Sequence, residues 1–183
     1  MNSPYQGKFK ITQRFKGAAH DGLDLVGIDS KEIHATVNGT VQYAGWENAA
    51  NQKQGFGQYV CIKGTDNRYY YYGHLSVIKA KTGQTVKITD VIGIEGSTGY
   101  STGSHCHYCI RPSFAAGKYL DVNAISGIPN VEGGTYDDGY RPKTEEPKAE
   151  PKEEPKAEEP KKALTGELKL SDGTIYKVTL EKI

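Results

Sequence analysis

Four histidines and one aspartate fall into three short motifs of this chain: His20-Asp-Gly-Leu-Asp24, Tyr72-Gly-His74-Leu-Ser76 and His105-Cys-His107. Imidazole and carboxylate groups are the donors that zinc accepts, and a set of three leaves a fourth position open for water. Zinc lowers the pKa of such a water to about 7 and polarises a carbonyl beside it. Three of the five groups can therefore hold a divalent ion. The other two can act on the water, since histidine, with a pKa near 6.5, both takes and returns protons at neutral pH. The chemistry this set composes is metal-assisted hydrolysis.

The spacing supports convergence. His20 and Asp24 are four residues apart, and positions i and i+4 share a face on a helix and on an extended strand alike. The glycines around them argue against a helix. His105 and His107, two apart, point to one side of a strand. His74 ends a run of tyrosines on a third segment, with Tyr70 and Tyr72 expected on its face. One His-x-His is weak evidence, because exposed strands carry it by chance; three motifs in Gly-rich surroundings point to one site. His34, in Glu-Ile-His-Ala-Thr, has no such company and is expected to be exposed and without a role. The helical His-Glu-x-x-His motif, a zinc-protease signature, is absent.

Alternating apolar residues predict the strands that must position these groups, at 33–43, 58–63, 68–72, 85–88, 92–94 and 105–111. Asn38-Gly39 and Asp66-Asn67 are turn signals. Only 113–117 and 122–125 offer a short helical turn. The expected fold is mainly antiparallel β, with few short helices and a small C-terminal β-hairpin.

The chain divides into three parts: residues 1–132, a linker at 133–162 and a hairpin module at 163–183. From Lys143 to Lys162 there are 7 Glu, 6 Lys and 4 Pro and no aliphatic residue larger than Ala. Such a tract buries too little apolar surface to offset its ordering entropy. A semi-rigid spacer of up to ~60 Å is expected, at ~3.1 Å per residue if fully extended. Beyond it, Leu168 and Leu170 alternate with polar residues, Asp172-Gly173 turns, and Ile175 and Val178 begin a second run. A lone hairpin is marginal in water. This one is expected to pair with copies of itself, dock on the first domain or bind a ligand of the cell surface, and the sequence does not choose among these.

A net charge of +1 over 183 residues gives no reason for a nucleic-acid partner. No apolar run approaches the ~18 residues of a membrane span, so no membrane partner is expected. Three cysteines, Cys61, Cys106 and Cys109, are not spaced as a disulfide framework and are expected to be reduced. The first residues lack the basic start and apolar run of a secretory signal. Synthesis in the cytoplasm is the expectation.

At this point the chain resembles a family, the M23 zinc peptidases, which are lysostaphin-like (LytM) cell-wall endopeptidases. The similarity runs from about residue 11 to 122. It includes His20-Asp-Gly-Leu-Asp24, Ala35-Thr-Val-Asn-Gly-Thr-Val-Gln-Tyr-Ala-Gly45, Tyr72-Gly-His-Leu-Ser76 and Gly83-Gln-Thr-Val86. It continues through Ile92-Gly-Ile-Glu-Gly-Ser-Thr-Gly99 and Ser101-Thr-Gly-Ser-His-Cys-His-Tyr-Cys-Ile-Arg111. The resemblance implies an antiparallel β fold with the site in a groove. It also implies zinc held by His20, Asp24 and His107, flanked by His74 and His105 as catalytic base or oxyanion stabiliser. Spacing alone does not tell His105 from His107. The implied substrate is bacterial peptidoglycan, cut at amides of its peptide stems or cross-bridges. With a spacer and a terminal module, the chain resembles a phage or prophage endolysin that reaches the wall on lysis; a secreted enzyme trimmed of its leader would look the same.

Two positions depart from the family pattern. Cys106 stands where an apolar residue is usual, and Cys109 where a Glu commonly follows the last histidine. By alternation Cys109 shares the face of His105 and His107, so its thiol could approach an ion. With all three expected ligands present, the thiol is expected to fill space. Tyr69–Tyr72, Tyr100 and Tyr108 are candidates to line the groove. Two other function classes compete. One is a catalytically inactive LytM-type protein that binds the wall or activates another hydrolase, and such relatives typically lose ligands that are all present here. The other is a lipoyl- or biotinyl-type carrier, suggested by Val37-Asn-Gly-Thr-Val41 and Gly83-Gln-Thr-Val86, which leaves the histidines unexplained.

Overall fold

The computed structural model describes residues 2–114, 117–139 and 164–180 and divides into two units, Met1–Pro142 and Lys143–Ile183. In the first unit the chain enters through β1 (Lys8–Gln13), where Phe9 and Ile11 are buried and the lysines between them exposed. It returns as β2 (Gly22–Gly27), crosses to β3 (Glu32–His34) and rises through β4 (Gly39–Trp46). Then follow β5 (Gln58–Gly64), β6 (Tyr69–Gly73) and three short strands, β7 (Val77–Ile78), β8 (Thr85–Val86) and β9 (Val91–Ile94). The unit ends with β10 (Cys106–Arg111), α1 (Val122–Ser126) and β11 (Thr135–Asp137).

Eight strands form one sheet in the order β11-β1-β2-β10-β6-β5-β4-β8, and β3-β9-β7 form a second. Every pairing is antiparallel. The middle strands are buried on both faces, their alternate side chains entering two apolar clusters. Leu23 and Leu25, Cys106, Tyr108 and Ile110, Tyr70 and Tyr72, and Val60 and Ile62 face the main core with Ile33, Ile92 and Val122. Their neighbours Tyr59, Cys61, Tyr71 and Cys109 form a second apolar cluster. Cys106 and Cys109 thus lie on opposite faces, as alternation predicts. Buried phenols need partners. Thr36 supplies them, its Oγ1 lying 2.7 Å from the Tyr72 hydroxyl and 2.8 Å from that of Tyr108.

Several expectations are corrected. The run 33–43 is two strands in different sheets, since β3 pairs with β9 and β4 with β5 and β8. Alternation is a local signal and does not mark where a chain steps between sheets. His34 is not exposed: it is 4% accessible, because β3 is covered on both faces. Its backbone N–H donates to the Pro4 carbonyl at 2.8 Å, and burial lowers the pKa of its ring. Residues 135–137, within the tract assigned to the linker, form β11 at the sheet edge against β1. Strands β1, β2 and β7 also went unread.

The turn expected at 122–125 is α1. Asp121 caps it by accepting from Asn123 N at 2.9 Å, and Gly127 ends it at φ 72°. It is the single α-helix among the described residues, so none there is long enough to cross a membrane. The helical turn proposed at 113–117 includes residues 115–116, which lie outside the described residues, as does most of the linker, 140–162. In the second unit β12 (Leu164–Lys169) pairs antiparallel with β13 (Ile175–Leu180). That is the hairpin expected around Asp172-Gly173, where Asp172 Oδ1 accepts from Thr174 N at 2.9 Å.

Candidate metal centre

The β2–β10 register places Asp24 directly opposite His107. Cross-strand partners share a face with Cβ atoms about 5 Å apart, so a carboxylate and an imidazole separated by 83 residues of sequence meet. His107 Nδ1 lies 2.8 Å from Asp24 Oδ1. His20, in a β-bridge with Gly17 just before β2, brings its Nε2 to 3.1 Å from the same oxygen. The donor atoms of His20, Asp24 and His107 all fall within 4.8 Å of one another.

His74 and His105 stand beside this trio with ring centroids 4.6 Å apart. His105 Nε2 is 3.6 Å from Asp24 Oδ1, and the His74 ring is 6.0 Å from that of His107. All five residues singled out in the sequence therefore border one cleft of about 490 Å³, with Phe56 and Tyr100 on its walls. His74 does not share the face of Tyr70 and Tyr72 as expected. Its φ of 62° is rare for a residue with a side chain, and it turns the ring off the core face. The Phe56 carbonyl accepts its backbone N–H at 2.8 Å, which holds this conformation. Of the tyrosines proposed for the groove only Tyr100, 82% exposed, lines it; Tyr70, Tyr71, Tyr72 and Tyr108 are buried.

Each ring is tied at the nitrogen that points away from the centre. The Nδ1 atoms of His20, His74 and His105 lie 2.8, 2.7 and 2.8 Å from the carbonyl oxygens of Arg14, Thr98 and Gly103. A carbonyl only accepts, so each Nδ1 carries a proton and each Nε2 turns to the cleft. Burial first, and His105 next, hold the pKa of His74 down to about 4, so its ring is neutral at physiological pH. Burial works against charge on Asp24, but hydrogen bonds to His107 and His20 outweigh it and hold its carboxyl well below the usual range.

This donor set fits zinc. A carboxylate oxygen and the lone pair of His20 Nε2 cannot face each other at 3.1 Å without a positive charge between them, from a proton or a cation. Zinc–ligand bonds of ~2.0–2.1 Å in tetrahedral geometry imply ligand separations of ~3.4 Å. The contacts of 2.8 and 3.1 Å are inside that by about 0.6 and 0.3 Å, so the trio would open slightly to admit the ion. Cys109 groups with Asp21 and His107, not with His20 and Asp24. Sequence reasoning does not single out Asp21, which contacts His107, or Arg111, which lines the cleft and pairs with Asp21; the signal for Asp21 is the second acid inside the first motif.

The model of peptidase family M23 matches residues 18–122, a span that holds all five residues. The chain belongs to this family. Among curated relatives, an uncharacterized metalloprotease of Haemophilus influenzae is 38% identical over 137 residues, covering 72% of this chain and 27% of that protein. The glycyl-glycine endopeptidase ALE-1 of Staphylococcus capitis is 34% identical over 93 residues, covering 50% of this chain and 24% of that protein. The chain thus spans about a quarter of the length of these two relatives. The solved catalytic domain of the antimicrobial peptidase lysostaphin from Staphylococcus simulans matches with a TM-score of 0.54 at 28% identity, covering 68% of this chain and 93% of that one. The M23 fold is the mainly antiparallel β architecture described above.

Proposed function

We propose that the chain is a zinc-dependent endopeptidase of bacterial peptidoglycan, with its ion held by His20, Asp24 and His107 and its proton chemistry carried by His74 and His105. The observation that carries this reading is the convergence of two imidazole nitrogens on one carboxylate oxygen at 2.8 and 3.1 Å, beside a second histidine pair. Membership of a peptidase family supports hydrolysis, and the glycyl-glycine endopeptidase relative supports wall peptides as the substrate class. The spacer and terminal hairpin that follow the peptidase unit support a lytic enzyme acting at the wall.

A zinc ion in the trio would polarise the scissile carbonyl and acidify its water. His74, neutral and with its Nε2 lone pair turned inward, is the group placed to take the water's proton. His105, whose Nε2 faces the same cleft 3.6 Å from the Asp24 carboxylate, is the group left to stabilise the oxygen on which negative charge develops. Tyr100 and Phe56 offer apolar surface to the substrate chain on either side.

Metal analysis should find one zinc per chain, and purified walls should lose turbidity in a reaction that chelator abolishes and added zinc restores. His74→Ala and His105→Ala should keep zinc and lose about 10²–10⁴-fold in rate. His20→Ala and Asp24→Ala should lose the metal. If His105→Ala released zinc as fully as His107→Ala, the division of roles would be wrong.

A further inference from the structure

His107 is gripped at both nitrogens by carboxylates from one four-residue stretch. Asp24 Oδ1 lies at its Nδ1, and Asp21 Oδ1 lies 3.2 Å from its Nε2. The other carboxylate oxygen of Asp21 accepts from Arg111 Nη2 at 2.8 Å. Gly22 makes the double grip sterically open, since a Cβ there would stand 2.7 Å from His107 Nε2.

The four rings of the centre differ in polarity. His20, His74 and His105 are anchored at Nδ1 by backbone carbonyls and deliver Nε2. His107 alone delivers Nδ1, so its anchor must act at Nε2, and there the hydrogen-bond partner is a side chain, Asp21. A metal-binding imidazole carries its remaining proton on the far nitrogen, and the acceptor at that nitrogen fixes both tautomer and ring orientation. Arg111 keeps the acceptor aimed, its guanidinium lying 5.2 Å from the Phe56 ring centre and 4.8 Å from that of Tyr71. The same guanidinium argues against a second ion between Asp21, His107 and Cys109, because a cation there would have to displace it.

We propose that Asp21 is a positioning residue of the metal centre: it accepts the Nε2 proton of His107 and so turns Nδ1 toward the ion. The proposal rests on His107 being a ligand, as read above. Partners of this kind contribute about 10–100-fold to metal affinity.

The test is zinc affinity by competition with a chromophoric chelator for wild type, Asp21→Ala, Asp21→Asn and His107→Ala, with stoichiometry measured alongside. NMR of the zinc-loaded proteins follows exchange of the His107 Nε2 proton. Asp21→Ala should bind zinc about 10–100-fold more weakly and lose the slowly exchanging Nε2 proton. Asp21→Asn is isosteric and its amide oxygen still accepts, so it should fold, lose less than Asp21→Ala and keep part of the protection. Wild-type affinity in both Asp21 variants, with zinc lost in His107→Ala, overturns the proposal and leaves the ligand assignment standing. Unchanged proton exchange in Asp21→Ala overturns it too. Zinc kept by His107→Ala overturns the ligand assignment itself. Two zinc ions per wild-type chain, falling to one in Asp21→Ala, would make Asp21 a ligand and sink the positioning role.

Discussion

Gly22→Ala is the sharpest test of how the backbone sets this centre. A Cβ on residue 22 would stand 2.6 Å from the Tyr108 carbonyl oxygen, 2.7 Å from His107 Nε2 and 2.9 Å from Cys109 Cβ, where ordinary contact begins near 3.4 Å. Two of these neighbours are backbone or Cβ atoms of β10, so no side chain can rotate out of the way. Relief requires β2 to move off β10 by about 0.8 Å, the difference between 3.4 and 2.6 Å. Asp24 is two residues along β2 and pairs across that same gap with His107. Metal–ligand distances tolerate ~0.2 Å, so the shift exceeds the tolerance about fourfold. Overpacking of this kind costs about 1–3 kcal/mol. In a unit of this size that corresponds to a Tm lower by ~3–12 °C in the metal-free protein. Zinc affinity should fall by at least about tenfold, or ~1.4 kcal/mol. Chelator competition and thermal unfolding measure the two effects. Gly83→Ala is the control, since it carries a φ of 85° with no neighbour within 4 Å; it should lose some stability and no zinc affinity. If Gly22→Ala bound zinc within about twofold of wild type and unfolded at the same temperature, the idea that glycine at this register sets the ligand spacing would be refuted.

Two further outcomes follow from buried groups. The Glu95 carboxylate, with no side-chain exposure, accepts from Tyr5 and Ser104 hydroxyls, Gly27 N and Lys31 Nζ. Burial raises its pKa, but Ser104, Tyr5 and Lys31 outweigh that and the net shift is downward. A lowered folded pKa means stability that is present above the unfolded value of ~4.3 and lost as pH falls through the folded one. Glu95→Gln should therefore cost about 2–3 kcal/mol at pH 7, with the gap to wild type closing below pH ~4 in urea titrations; a gap independent of pH would contradict this. Cys61, Cys106 and Cys109 are buried, and burial pushes the Cys61 thiol up to about 12. A thiol reagent at pH 8 should leave the native protein unmodified over minutes and titrate three thiols after denaturation, because the thiolate is the reactive form; rapid reaction of the folded chain would disprove it.

Much of the site was legible in the chain. The residue types and spacing of the three motifs singled out the five groups that border the cleft. Alternation in β10 correctly put Cys106 on the face opposite His107 and Cys109, while Tyr108, expected in the groove, lies on the core face with Cys106. Elsewhere the pattern was not legible. β2 is buried almost throughout and reads as no strand, and β3 is covered on both faces, which hid the burial of His34. A single positive φ at His74 reversed the face inferred for it.

What the sequence determined by itself was the chemistry on offer: imidazoles and a carboxylate on segments able to aim them, a mainly β fold and a charged spacer before a hairpin. Those follow from side-chain type and from periodicities spanning a few residues. Only the tertiary structure decided which nitrogen each ring turns inward, that Asp24 faces His107 across two strands, and that Asp21 stands behind it. The reason is that a ring's proton goes to whichever acceptor lies within about 3 Å, and that acceptor comes from strand register and loop path between residues far apart in the chain.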